Sequence, residues 1–173
     1  MRVVTVPNRD DMHALGMALA SLVRPGDLIV LSGGLGAGKT TLTQGIGRGL
    51  RVRGEVTSPT FVIARVHPSL QGGPSLVHVD AYRLGSLVEV DDLDLDTSLD
   101  DSVTVVEWGE GRVEGLSENR LEIHIDRAAG TGSEGDIDPR TVSVAGVGPR
   151  WAGVDFGGLV AQGVVDASTS GRR

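Results

Sequence analysis

Hydrophobic residues recur along the chain in short blocks, and the spacing within each block predicts a strand or a helix. A short continuous apolar run is typical of a buried strand, whereas strict alternation is typical of a strand with one side facing solvent. The run at 28–31 is continuous, and residues 121–126 alternate. The predicted strands are 3–6, 28–31, 61–66, 75–80, 103–108, 121–126 and 141–147.

Helical spacing is found in three other segments. Residues 8–11 are suited to cap a first helix, and its apolar residues recur at helical intervals: Met12, Leu15, Leu19 and Leu22. A second helix is predicted from about Lys39 to Leu50, and a short third one within 86–101, with acidic residues on its exposed side. This order of elements predicts an α/β fold, with a mixed β-sheet flanked by helices and a ligand site beyond strand 28–31.

Two glycine-rich stretches carry few apolar residues. Residues 128–138 are predicted to form a loop or a hairpin tip, and residues 149–173 to form a partly disordered tail. We therefore expect one folded domain over 1–148, followed by a tail to which the sequence assigns no role.

Composition narrows the function classes. The chain has 173 residues, a formal net charge of −7 and no cysteine. The acidic balance argues against a protein that binds nucleic acid by itself, and the lack of cysteine excludes disulfides and thiolate metal sites. No apolar run approaches the roughly 20 residues that cross a bilayer, and the N-terminus does not resemble a secretion signal. We expect a cytoplasmic protein that does not contact the membrane.

A phosphate-loop motif, G-x-x-x-x-G-K-[ST], follows the strand at 28–31 directly and opens the second helix. In order, its residues are Gly33, Gly34, Leu35, Gly36, Ala37, Gly38, Lys39 and Thr40, with Thr41 next. Glycines allow the backbone N–H groups to turn inward around an anion, and the helix start adds its positive dipole end. Lys39 is the only lysine among 16 basic residues, which suggests a position that admits no arginine.

The motif predicts binding of Mg·ATP. Lys39 is expected to reach the β- and γ-phosphates, and the Thr40 hydroxyl to ligate Mg²⁺. ATP is favoured over GTP because the N-K-x-D motif that reads guanine needs a lysine, and the only one is already used.

Four residues elsewhere are candidates for the same site. Asp80 and Glu107 end predicted strands at the sheet edge where ligands bind in such folds, so they are expected to handle Mg²⁺; either could instead be a solvated strand-end carboxylate. Thr60, in SPTF, is a candidate switch residue or a plain turn residue. Trp108 is either a core residue or a stacking surface for adenine.

With these motifs, the chain resembles the TsaE (YjeE) family, the bacterial ATPases of the tRNA threonylcarbamoyladenosine pathway. The matching elements run in the same order over about residues 3–145: GLGAGKTTLTQG, SPTF, HVDAYR, VVEWGE and LEIHID. The resemblance implies that Lys39, Thr40 and the loop backbone hold the phosphates. It also implies that Thr40 and Glu107 bind Mg²⁺, Asp80 is the acidic residue of the second nucleotide motif, Thr60 is the switch residue and Trp108 lies near the base.

The resemblance also implies partners. Family members have little ATPase activity alone and act with the proteins TsaB and TsaD, so that tRNA is met only through the complex. TsaD transfers the threonylcarbamoyl group to an adenosine beside the anticodon, and ATP hydrolysis by TsaE resets the complex. The chain departs from the family at Gly34, where Asp is usual, and at Asp94, where Gly is usual.

Three functions fit these residues: an ATPase that works only within a partner complex, a small-molecule kinase, and a non-catalytic module whose bound ATP fixes a shape. The chain is short and shows no substrate-binding domain, which favours the first. A kinase commonly needs an arginine-rich lid, and only Arg51 and Arg53 form a close basic pair outside the tail. The presence of both Asp80 and Glu107 argues against the non-catalytic module. Arg83 is a candidate arginine finger or a strand-end ion-pair partner.

Overall fold

The computed structural model describes residues 1–59, 63–83, 100–111, 113–127, 139–159 and 165–166. Three expectations fall outside these residues: the candidate switch residue Thr60, the loop expected at 128–138, and the short helix expected within 86–101. Of that helix segment, the structure describes only residues 100 and 101. The strands are β1 Arg2–Val6, β2 Leu28–Gly33, β3 Ala64–His67, β4 Ser75–Asp80, β5 Ser102–Glu107, β6 Arg120–Arg127, β7 Arg140–Val147 and β8 Val165–Asp166. The helices are α1 Arg9–Ala20 and α2 Lys39–Leu50, with 3₁₀ turns at Ala81–Arg83, Glu114–Leu116 and Pro149–Trp151.

The strands form one mixed sheet in the order β3-β4-β5-β2-β6-β7-β1-β8. The four strands at its centre, β4, β5, β2 and β6, are parallel, and the remaining strands are antiparallel to their neighbours. The predicted mixed α/β sheet is confirmed. Since β2 lies between β5 and β6, the loop that follows it emerges from the middle of the sheet, next to the ends of two parallel neighbours.

Both helices pack against the same face of the sheet. Their apolar sides, including Leu15 and Ile46, join inward-facing residues of the strands in one core cluster. The opposite face carries a smaller cluster, which includes Val30 and Val106. The start of α1 forms as predicted, because the Asn8 side chain accepts a hydrogen bond from the Asp11 N–H at 3.0 Å.

Two predicted strand boundaries were wrong for the same physical reason. The run 61–66 predicted a strand; its first two residues lie outside the described part of the chain, and β3 begins at Ala64, after Ile63 adopts a positive φ of 67°. The run 103–108 was predicted to include Trp108, but β5 ends at Glu107 because Trp108 has a φ of 62°. A left-handed backbone interrupts an extended strand, and nothing in an apolar pattern signals it.

The first part of the expected tail packs against the core. Trp151 is 3% exposed and Leu159 is 1% exposed, and both belong to the cluster beneath the helices. The rest of the tail lies outside the described residues, apart from β8. Within the described part of the chain, no helix is long and apolar enough to cross a membrane.

Candidate functional site

The phosphate loop joins the end of β2 to the start of α2, as the motif predicted. Gly33 ends the strand with a φ of 133°, and a Cβ there would lie 2.2 Å from the Ile125 carbonyl oxygen. A side chain at this position would therefore collide with the backbone of β6. The loop reaches α2 through Gly38, which precedes the first helical residue with a φ of 111°.

Lys39 is folded back over the loop from the first turn of α2. Its Nζ donates hydrogen bonds to the carbonyl oxygens of Gly33 and Gly34, at 2.8 and 2.9 Å. Burial lowers the pKa of the Lys39 ammonium below its usual 10.5, and the charges of Glu107 and Asp80 oppose that shift. The Lys39 ammonium is thus held by two backbone carbonyl oxygens, and the oxygens of a bound phosphate could replace them as acceptors.

Thr40 and Glu107 are brought together across the site. The Thr40 hydroxyl is 2.9 Å from Glu107 Oε1 and 3.2 Å from its Oε2. His78 Nε2 is 2.7 Å from the same Oε1, and both His78 and Glu107 are buried. Because an ionised carboxylate only accepts hydrogen bonds, Nε2 must carry the hydrogen. His78 therefore fixes one oxygen of the carboxylate that faces Thr40.

Asp80 lies beside Glu107 because β4 and β5 are parallel and in register, with Asp80 opposite Glu107. Its Oδ1 accepts from the Tyr82 N–H at 3.0 Å, and its Oδ2 is 3.5 Å from the Ser58 hydroxyl. The side chains of Thr40, Ser58, Asp80 and Glu107 all line one cleft. A hydroxyl and carboxylates are the oxygen donors that Mg²⁺ prefers, so this donor set fits the ion.

Trp108 lies over the amine of Lys39. Nζ is 3.6 Å from the ring centroid, and the Tyr82 ring is 5.2 Å away at an angle of 58°. The two aromatic rings border the cleft of about 480 Å³ that contains the loop. The structure thus places Trp108 beside the lysine, and its expected position near the base stays a prediction.

The remaining candidates are distributed as follows. Leu35 is 89% exposed and lines the cleft together with Gly36, Ala37, Gly38 and Thr41. A Cβ on Gly34 would meet nothing within 4 Å, so the aspartate usual in the resembled family would have room here. Arg83 is the last residue of a 3₁₀ turn.

Sequence reasoning missed two residues at the site. His78 was assigned no role at the site from the sequence alone, although its two-residue spacing from Asp80 places both on one face of β4. Arg140 was not considered, yet its Nε donates to the Ala37 carbonyl oxygen at 3.0 Å. No local signal reveals that contact, because 103 residues separate the two.

A phosphate loop at the end of a central parallel strand, with carboxylates at the ends of the neighbouring strands, defines the fold of the P-loop NTPases. The family model described as "Threonylcarbamoyl adenosine biosynthesis protein TsaE" matches residues 6–134. The chain belongs to the TsaE family.

Individual relatives agree with the family model. The chain is 66% identical over 145 residues to the tRNA threonylcarbamoyladenosine biosynthesis protein TsaE of Streptomyces coelicolor, a match that covers 83% of this chain and 96% of the relative. It is 38% identical over 145 residues to the TsaE of Bacillus subtilis, a match that covers 83% of this chain and 85% of the relative. The crystal structure of B. subtilis YdiB superposes with a TM-score of 0.66 at 32% identity, covering 87% of this chain and 88% of that one.

Proposed function

We propose that this protein is a Mg²⁺-dependent ATPase that acts in the biosynthesis of threonylcarbamoyladenosine in tRNA, and that it hydrolyses ATP together with TsaB and TsaD. The observation that carries the proposal is the contact of Thr40 with Glu107 at 2.9 Å, beside Lys39 at the head of a phosphate loop. The family and the printed names of its relatives supply the pathway.

The chain's own residues bind and orient the triphosphate. The loop N–H groups and the start of α2 receive the phosphates, and Lys39 exchanges its two carbonyl acceptors for phosphate oxygens. Thr40, Glu107 and Asp80 would hold Mg²⁺, which supplies neutralisation of charge on the phosphates. His78 keeps Glu107 oriented, and Trp108 shields the Lys39 amine from water.

The opposite side of the loop suits the nucleoside. A second cleft of about 260 Å³ shares the loop backbone and Thr41 with the first, and it is lined on its outer side by Asn8, Arg9, Met12 and Arg140. Trp108 does not line it. We assign the base to this cleft rather than to the neighbourhood of Trp108, where the family resemblance implies it, so that ATP would extend from the base past Thr41 toward Lys39.

The described residues of the cleft supply one cation, Lys39, and this supports dependence on partners. Among the described residues that line it, none is an arginine. Transfer of a phosphoryl group to water needs charge neutralisation beyond one lysine and one metal ion, and other P-loop enzymes obtain it from an arginine in cis or in trans. Hydrolysis by the isolated chain is therefore expected to be slow, and contact with TsaB and TsaD to accelerate it, with tRNA met only through the complex.

The test is ATP hydrolysis by the purified chain, with and without TsaB, TsaD and tRNA. We expect stimulation by the partners that is lost in Lys39→Ala and reduced by at least about tenfold in Glu107→Gln, which keeps the size of the side chain but weakens its charge-assisted contacts. Arg120→Ala, at the far end of β6, serves as the matched control and should hydrolyse normally. Fast hydrolysis by the chain alone would contradict the partner requirement.

A small-molecule kinase remains the second candidate, because another cleft borders both the start of the phosphate loop and Trp108. It has a volume of about 470 Å³ and is lined by Ser32, Gly33, Gly34, Tyr82, Trp108, Glu110 and His124. Tyr82 and Trp108 border both clefts. A phosphoacceptor screen separates the two functions, since a kinase would transfer the phosphoryl group to an added small molecule without TsaB or TsaD.

A further inference from the structure

The outer side of the phosphate loop contacts an arginine from late in the chain. Arg140 is the first residue of β7, and its backbone pairs with Val6 of β1 and Arg127 of β6. Because β7 runs antiparallel to β6, and β6 runs parallel to β2, the start of β7 lies beside the loop that follows β2. The sheet register thus brings a guanidinium next to the loop.

Two nitrogens of this guanidinium donate to the loop backbone. Nε of Arg140 donates to the Ala37 carbonyl oxygen at 3.0 Å, and Nη2 donates to the Gly36 carbonyl oxygen at 3.3 Å. In a planar trans peptide, C=O and N–H point in opposite directions. Carbonyls held on the outer side therefore aim the N–H groups of Ala37 and Gly38 inward. The Ala37 N–H is indeed directed across the loop, 3.2 Å from the Gly34 oxygen.

The loop needs this support because its own backbone is free to adopt other shapes. Gly36 and Gly38 have φ values of 72° and 111°, and glycine leaves such conformations easily when nothing holds it. On the inner side, Lys39 Nζ holds the carbonyl oxygens of Gly33 and Gly34. A bound phosphate would draw that amine away, whereas the bonds from Arg140 on the outer side do not compete with the ligand.

We propose that Arg140 is a positioning residue that holds the phosphate loop in the shape that receives a nucleotide's phosphates, an inference that rests on the proposed nucleotide binding. A loop that is already ordered loses less conformational entropy on binding. The guanidinium also places a positive charge behind the anion. A lysine at this position would keep the charge but lose the forked pair of donors.

The experiment measures the affinity of the full chain for ADP and for pyrophosphate by calorimetry, in the wild type, Arg140→Ala and Arg140→Lys. We expect Arg140→Ala to weaken pyrophosphate about tenfold and ADP by at least that factor, since Arg140 also lines the cleft assigned to the base, and Arg140→Lys to restore part of the loss. Pyrophosphate has no base, so its loss of affinity assigns the role to the phosphate loop.

Two further arginines provide matched controls. Arg127 is beside the loop, with Nη2 3.5 Å from where a Cβ on Gly36 would lie, so Arg127→Ala removes a neighbouring charge. Arg150 forms a buried ion pair with Asp27, so Arg150→Ala lowers stability without touching the loop. Both controls should bind pyrophosphate as the wild type does.

Three outcomes would overturn the inference. Unchanged affinity in Arg140→Ala excludes the role, and an equal loss in Arg127→Ala shows that charge alone acts. Loss of ADP affinity with normal pyrophosphate affinity places Arg140 at the nucleoside instead. If the wild type binds neither ligand, or Lys39→Ala binds both normally, the nucleotide-binding function itself fails, a result that does not depend on Arg140.

Discussion

At the scale of single residues, the contacts converge on the carboxylate of Glu107. It is 3% exposed and accepts hydrogen bonds from His78 and Thr40. A buried carboxylate is costly to desolvate unless it has such partners. The two donors therefore keep it in place in the absence of ligand, and the Thr40 hydroxyl is already turned toward the acid with which it would share a cation.

The pKa of Lys39 is shifted by its surroundings at this site. Burial lowers its pKa below 10.5 in the free protein, and bound phosphates favour the charged form, which raises the pKa again. The contribution of Lys39 to ADP affinity should not depend on pH below the lowered pKa. It should weaken as pH rises through that pKa toward 10.5, by up to about tenfold per pH unit, because binding then requires uptake of a proton.

Calorimetry in two buffers of different protonation enthalpy measures that uptake directly. Lys39→Arg, which stays charged throughout, should take up no proton in whatever binding it retains. Proton uptake that persists in Lys39→Arg would assign the titration to another group.

At the scale of elements, the two helices approach each other closely because small residues face one another. A Cβ on Gly45 of α2 would lie 2.4 Å from the His13 carbonyl oxygen and 3.0 Å from Gly16 Cα. Both neighbours are backbone atoms of α1, which no change of rotamer can move away. The separation of the helices is therefore set by glycine at this contact.

Gly45→Ala is expected to lower the free energy of unfolding by about 1–3 kcal/mol, because the helices must separate to admit a methyl group. The gain in helix propensity, about 1 kcal/mol, opposes this effect only in part. Gly115→Ala is the control, since a Cβ there meets nothing within 4 Å. Urea unfolding measures both variants, and a Gly45→Ala protein as stable as the control would contradict the close approach.

The elements that the sequence predicted well are those with a continuous local signal. The bounds of α2 were predicted correctly because a phosphate loop precedes it and an apolar stripe runs through it. The start of β3 and the end of β5 were predicted incorrectly. The backbone of Ile63 and of Trp108 adopts a left-handed conformation, and the hydrophobic pattern does not change at either residue. The loop and the strand-end acids predicted for the site lie together in the structure, whereas no role there was predicted for His78 and Arg140.

At the scale of the whole molecule, the segment after β7 returns to the base of the central strand. Arg150 donates to both carboxylate oxygens of Asp27, at 3.0 and 2.8 Å, and to the Leu22 carbonyl oxygen at 2.8 Å. Asp27 is 4% exposed and also accepts from the Arg24 N–H. This ion pair ties a segment expected to be a partly disordered tail to the turn that precedes β2.

Arg150→Ala should lower the free energy of unfolding by about 2–4 kcal/mol, because it leaves a buried carboxylate without its charged partner. Asp27→Ala combined with Arg150→Ala should cost less than the sum of the two single changes. Chemical denaturation of the four proteins in this cycle gives the coupling, and strictly additive losses would show that the two side chains do not act as a pair.

The strand order also governs when the chain can fold during synthesis. β2 is completed early, yet its partners β5 and β6 are synthesised much later, and β1 pairs with β7. β2 has no neighbour in the sheet until β5 is complete at residue 107, and β1 cannot pair with β7 until residue 147 has emerged from the ribosome, so the edges of both strands stay open during much of synthesis. Contacts this distant in sequence make folding slow and leave the nascent chain exposed to aggregation. A growing TsaE chain is therefore expected to depend on chaperones until β7 has emerged.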